Sequence, residues 1–156
     1  MIIEEAATFG KILPHRSPLV GLDCGRKSIG VAVSDADGQI ASPLRTIRRR
    51  GFVKDVRQLL DIVHYRSVLG VVIGLPRNMD GSEGPSCQSI RSFALNLTEC
   101  TNLPITFWDE RLSTVAAEKA LIAAGASRRK RSRVIDHVAA ALILQGLLDY
   151  LGNQNR

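Results

Sequence analysis

The sequence predicts an α/β fold built on a mixed five-stranded sheet, an antiparallel three-stranded start continued by parallel strands, with helices on both faces. Three observations carry the prediction. Short period-two stretches of β type come first, at residues 19–23, 29–34 and 39–47. From residue 52 onward, segments with apolar residues at 3-and-4 spacing alternate with short β-branched runs. One of those runs, Val68-Leu69-Gly70-Val71-Val72-Ile73, is apolar on both faces, as a central strand covered on both sides must be. At 156 residues the chain is one domain's worth, enough to bury roughly two-thirds of its unfolded surface.

Residues 1–18 hold few periodic apolar positions and end with Pro14 and Pro18, so they read as a lead-in with one short helix; the domain proper spans 19–151. In the second strand Ile29, Val31 and Val33 alternate with small residues, and Asp35-Ala36-Asp37-Gly38 supplies hairpin-turn chemistry. Pro43 interrupts the third strand and demotes it to an edge. Phe52, Val53, Val56, Leu59, Leu60 and Val63 then mark one helical face.

After the fourth strand, residues 74–85 form a long loop rich in turn residues, of the kind that is often functional. A helix over about 86–99 carries Ile90, Phe93, Ala94 and Leu97 on one stripe, and residues 104–108 make the fifth strand. Ser113 or Thr114 can cap a helix with the stripe Ala117, Ala120, Leu121 and Ala124, which Gly125 stops. A final helix runs from about 134 to 151, and residues 138–144, apolar on all sides, predict that it packs deeply against the sheet.

The chain carries 21 Lys plus Arg against 15 Asp plus Glu, a net charge of +6, which argues for association with polyanions. The excess is clustered in Arg48-Arg49-Arg50 and in Arg128-Arg129-Lys130-Arg131-Ser132-Arg133. Cys24, Cys87 and Cys100 are odd in number and show no Cys-x-x-Cys spacing, so reduced thiols are expected rather than disulfides or zinc. Glu4-Glu5 near the start reads against a signal peptide, and no apolar run approaches the ~20 residues of a membrane span. A cytoplasmic protein without membrane partners is expected.

Against this basic background a few carboxylates are placed where strands and helices begin or end. Asp23 closes the first strand, Asp109-Glu110 the fifth, and Asp136 opens the last helix. Ligands of open α/β sheets collect at the carboxyl ends of parallel strands. Carboxylates gathered there repel one another, and a bound divalent cation relieves that repulsion. One or two Mg²⁺ or Mn²⁺ ions would suit phosphodiester cleavage. Taken singly, each acid also fits a structural role: Asp23 before a turn, Asp109-Glu110-Arg111 as local ion pairs, Asp136 as a first-turn acid favoured by the helix dipole.

Four segments together resemble the YqgF/RuvX family. They are Gly21-Leu22-Asp23-Cys24-Gly25-Arg26-Lys27-Ser28-Ile29-Gly30-Val31-Ala32-Val33-Ser34-Asp35, Gly74-Leu75-Pro76-Arg77-Asn78-Met79-Asp80-Gly81-Ser82-Glu83-Gly84, Asp109-Glu110-Arg111-Leu112-Ser113-Thr114 and Asp136-His137-Val138-Ala139-Ala140. Order and spacing are kept over roughly residues 19–150. The resemblance implies a ribonuclease H-like sheet, order 3-2-1-4-5 with strand 2 antiparallel, and a nuclease that matures the 5′ end of the 16S rRNA precursor. It implies Asp23, Asp109, Glu110 and Asp136 as catalytic acids, with Asp23, Glu110 and Asp136 holding Mg²⁺ or Mn²⁺. Which of Asp109 and Glu110 faces the metal is left open. Ribonuclease H-like nucleases commonly carry an acid at the end of the fourth strand; here that strand ends in Ile73-Gly74-Leu75-Pro76, so Glu110 must reach inward.

The basic run before Asp136 would bring phosphates beside the metal, which makes Arg128, Arg129, Lys130, Arg131 and Arg133, with Lys27, the candidate nucleic-acid contacts. Aromatic residues are only 4%, which favours recognition of backbone and shape over base stacking. The partner is pre-rRNA or a pre-ribosomal particle, with branched DNA as the alternative, and a homodimer is allowed. Two other readings compete: a Holliday-junction resolvase-type DNA nuclease, and a non-catalytic RNA-binding ribosome-assembly factor. An actin-like phosphotransferase, suggested by Asp23-x-Gly25, would need a second lobe that a chain of this length does not supply.

Overall fold

The structure, a computed structural model, describes residues 1–112 and 128–154, the side chains of 128–135 excepted. Five strands, β1 (Leu19–Cys24), β2 (Ser28–Ser34), β3 (Ala41–Arg48), β4 (Gly70–Leu75) and β5 (Ile105–Asp109), form one sheet in the order β3-β2-β1-β4-β5. β1 runs antiparallel to β2, as does β2 to β3, while β1–β4 and β4–β5 are parallel. Order and directions are those expected. Pro43 lies on the edge strand β3, beside a register shift at Val31/Ala32, where its missing N–H costs the ladder least.

Helices α2 (Phe52–Tyr65) and α3 (Pro85–Leu97) cover one face of the sheet; α1 (Ala6–Ile12) and α4 (Arg128–Gln154) cover the other. Strand alternation assigns residues to the two cores. Val20, Leu22, Val71, Ile73, Ile105 and Phe107 pack toward α2 and α3. Leu19, Ala32, Val72 and Trp108 pack toward α4, against Ala140, Ile143, Leu144 and Leu147. At ~25 cal/mol per Å² such two-sided burial dominates the stabilisation, which is why the central strands are apolar throughout.

The lead-in segment is tied into this architecture. Phe9 is fully buried, and residues 1–3 run beside β5, with the Ile3 amide donating to the Ile105 carbonyl at 2.7 Å and the Ile105 amide to the Met1 carbonyl at 2.8 Å. An otherwise open sheet edge is thereby covered. At the β2–β3 turn Gly38 adopts a positive φ of 65°, and the Asp35 carboxylate accepts from the Gln39 and Ile40 amides. Those two amides hold the Asp35 carboxyl below its ordinary pKa.

Two expectations about the last helix are corrected. It begins at Arg128 rather than near residue 134, so the arginine-rich run is helical backbone and not a preceding loop. Arg and Lys are good helix formers, and the run lacks only the apolar periodicity by which a helix is recognised. Asp136 consequently stands in the third turn, out of reach of the first-turn dipole effect. The helix capped at Ser113 or Thr114 lies outside the described residues. Among the described residues no helix is long and apolar enough to cross a membrane.

Candidate functional site

The α4 side of the sheet is lined at three adjacent strands by glycine, and that lets the helix descend onto the backbone. A Cβ at Gly30 on β2 would fall 1.9 Å from the Asp136 carbonyl oxygen; one at Gly21 on β1 would fall 2.7 Å from the Leu144 Cβ. One at Gly74 on β4 would fall 2.5 Å from the Ile143 Cδ1. At Gly30 and Gly21 the conflict is with helix backbone or Cβ, which cannot yield, so glycine is needed there; at Gly74 it is with the end of the Ile143 side chain.

Close docking sets the height of Asp136. Asp23 is the β-partner of Gly30, and Gly30 is the residue on which the Asp136 backbone rests. The Ser28 hydroxyl donates to Asp136 Oδ2 and aims that carboxylate at the β1–β2 hairpin. Beside it Thr46 Oγ1 and His137 Nδ1 lie 3.1 Å apart, pinning the next helical residue to β3.

Alternation separates the two acids at the end of β5. Thr106 and Trp108 face α4, so Asp109 turns to the opposite side, and Glu110, in the 3₁₀ turn that follows the strand, reaches the α4 side beside Gly74. The Glu110 Oε1 lies 2.9 Å from where a Gly74 Cβ would be. Gly74 is on β4, between β5 and β1, and follows Ile73, the partner of Leu22. Glu110, from the end of the fifth strand, thus lies over a fourth-strand position with no side chain of its own.

Asp109 has a different set of neighbours. It accepts from Arg111 Nη2 at 2.7 Å and from the Arg111 backbone amide at 3.0 Å, and Arg77 Nη1 lies 3.6 Å away. The Arg111 bonds, and then the nearby Arg77 charge, hold the Asp109 carboxyl below its ordinary pKa. Arg111 Nη1 also donates to the Met79 carbonyl at 3.3 Å, which ties residues 76–84 to the end of β5. At the base of that loop Glu83 receives Arg91 Nε at 2.6 Å and Nη2 at 2.8 Å. The Asp80 carboxylate accepts the Ser82 amide and hydroxyl, a turn-forming role.

Asp23, Glu110 and Asp136 therefore share one face, and Asp109 does not. Among the described residues no three His, Cys, Asp or Glu groups converge to metal-binding distance, so these acids share a neighbourhood without forming a closed cage. Cys24 reports their field. Burial pushes its thiol up to about 12, with the Asp23 and Glu110 charges adding to the effect and Arg49 opposing it. Lys27 lies exposed at the hairpin tip beside Asp23; the side chains of Arg128, Arg129, Lys130, Arg131 and Arg133 lie outside the described residues. A cleft of about 1010 Å³ between α1 and the end of α4 lies by Leu19, at the other end of β1 from these acids.

The sequence model of RuvX, described as Holliday junction resolvase, matches residues 17–150. The chain belongs to the RuvX family. A relative from Ruegeria pomeroyi is 61% identical over 153 residues, covering 98% of this chain and 99% of its own, and bears the name "Putative pre-16S rRNA nuclease". One from Rhodobacter capsulatus, 56% identical over 100% of this chain and 98% of its own, bears the same name. Among solved structures the chain is similar to Thermus thermophilus RuvC in complex with a Holliday junction substrate, at a TM-score of 0.56 and 14% identity over 87% of this chain and 96% of that one. It is also similar to the yeast mitochondrial Holliday junction resolvase Ydc2, at 0.53 and 13% over 96% and 85%. These likenesses establish the RuvC-like, ribonuclease H-like α/β fold.

Two members of this RuvX site were not singled out from sequence. Ser28, which the sequence shows only as part of the first motif, is the donor that orients Asp136. Gly74, read only as the end of a strand, makes the space that Glu110 occupies. An isolated glycine inside an apolar strand is itself a signal of close approach.

Proposed function

We propose that this RuvX-family protein is a metal-dependent phosphodiester endonuclease that processes the 5′ end of pre-16S rRNA. The observation that carries the proposal is the placement of Asp23, Glu110 and Asp136 on one sheet face, around the gaps at Gly74 and Gly30. The names of the 56–61% identical relatives supply the substrate.

The donor chemistry, short of a closed cage, suits the cation. Three carboxylates are hard oxygen ligands of the kind Mg²⁺ and Mn²⁺ select. The gap at Gly74 admits the Glu110 carboxylate, which a side chain there would exclude. Asp23, Glu110 and Asp136 would hold the ion. A divalent metal supplies activated water and charge stabilisation at the leaving oxygen of a phosphodiester. Asp109 instead anchors Arg111 and Arg77, and through Arg111 the loop beside the site. Lys27 and the Arg128–Arg133 run would contact phosphates, positioning the strand rather than reading bases.

The test is incubation of wild type and Asp23→Asn with precursor rRNA and with a branched DNA junction, each with Mn²⁺, Mg²⁺ or EDTA. Cleavage of the precursor by wild type with metal, lost in EDTA and in the variant, is expected. Preferential cutting of the junction would move the substrate to the DNA reading that the family description favours. Binding without any cutting would leave an RNA-binding assembly factor.

A further inference from the structure

Resting on the nucleic-acid reading above, we infer that Arg26, Lys27, Arg48 and Arg50 form a second phosphate-binding surface, which holds the substrate backbone on the β3 side of the carboxylates. The run Arg48-Arg49-Arg50 is divided by the fold. Arg49 turns inward: its Nη1 donates to the Gly25 carbonyl at 2.7 Å, and its guanidinium carbon lies 5.5 Å from the Phe93 ring centroid. Its backbone amide donates to the Lys27 carbonyl at 2.8 Å. Arg49 thereby ties the tip of the β1–β2 hairpin to the β3–α2 connection. The Arg50 amide donates to the carboxylate of buried Asp55 at 3.0 Å, which fixes the same connection from the helix side.

Arg26, Lys27, Arg48 and Arg50 are the residues left outside this scaffold. All four are exposed, and none takes part in an ion pair among the described residues. Arg48 is the β-partner of Ser28, and Thr46, two residues earlier, meets His137 on α4. Directly opposed residues of an antiparallel pair share a face, so Arg48 projects on the same side as Ser28 and Asp136. Four unpaired cations held on two tethered turns, at the strand ends where the carboxylates stand, suit a polyphosphate. Phe93 lies beneath and is buried, so no aromatic platform is offered to a base. The Arg128–Arg133 run begins eight residues before Asp136, about 12 Å along the α4 axis.

The experiment compares charge-matched pairs, R26Q/K27Q, R48Q/R50Q and the remote K11Q/R16Q, each removing two cations. Binding of a fluorescein-labelled RNA stem with a single-stranded 5′ extension is measured in EDTA across 50–300 mM salt, and thermal unfolding checks folding. Each surface pair is expected to flatten the slope of log K against log salt by about 1.5 to 2, with the remote pair near wild type. Equal slopes for all three pairs, or no change at R48Q/R50Q, would overturn the inference. Because EDTA silences metal chemistry, a binding result stands apart from whether the protein cuts.

Discussion

Gly74→Ala is a one-carbon test of how the site is assembled. The added methyl would lie 2.5 Å from Ile143 Cδ1, 3.1 Å from Ile143 Cγ1 and 2.9 Å from Glu110 Oε1. Gly74 has no positive φ, so alanine meets no backbone strain, and the whole effect is crowding. Ile143 is fully buried and cannot leave; half-buried Glu110 can swing away. Overpacking of this kind costs about 1–3 kcal/mol, which for a domain of this size lowers Tm by about 3–9 °C. Displacement of Glu110 should abolish cleavage even where the fold survives. The companion variant Ile143→Val removes the atom in closest conflict at a cost of its own of about 1 kcal/mol. The double variant should regain stability, with a coupling of about 0.5–3 kcal/mol, while cleavage stays lost because the Glu110 conflict remains. Thermal unfolding and a precursor-cleavage assay read the two effects separately. Wild-type cleavage by G74A, or recovery of cleavage in the double variant, would refute the reasoning.

The remaining predictions follow from single contacts. Ser28→Ala removes the donor that aims Asp136; stability should fall by about 1 kcal/mol and metal-dependent activity by roughly 10–100-fold, checked by denaturation and Mn²⁺-dependent rates. The two Arg91 bonds hold the Glu83 carboxyl below its ordinary 4.5, so its contribution is present above that value and is lost as pH falls through the lower folded one. Glu83→Gln should therefore cost about 1 kcal/mol at pH 7 and progressively less as pH falls below 4.5, by denaturant titration at each pH. With its thiol pushed to about 12, Cys24 should resist maleimide at pH 8 while exposed Cys100 reacts first, as peptide mass mapping would show.

The sheet was legible because the hydrophobic period changes from two to helical spacing at residue 52, and because Pro43 marks an edge. Asp23 and Asp109 were legible as strand-end acids, but the sides taken by Asp109 and Glu110 were not. Both faces of β5 are covered, so Ile105, Phe107 and Trp108 give no polar–apolar alternation from which to read a side. Only the docking of Trp108 against α4 fixes the parity. The start of α4 was hidden for a related reason: six consecutive polar residues carry helix propensity but no stripe. The division of Arg48-Arg49-Arg50 depends on Gly25 and Phe93, distant in the chain, and no local pattern encodes it.

The central claim is that Asp23, Glu110 and Asp136 hold a divalent cation while Asp109 serves the arginines. Mn²⁺ binding followed by electron paramagnetic resonance, in wild type and in the single variants D23N, D109N, E110Q and D136N, tests it most directly. The account predicts at least tenfold weaker binding in D23N, E110Q and D136N, and near-wild-type affinity in D109N with a lowered Tm. Loss of Mn²⁺ binding in D109N with retention in E110Q would contradict it.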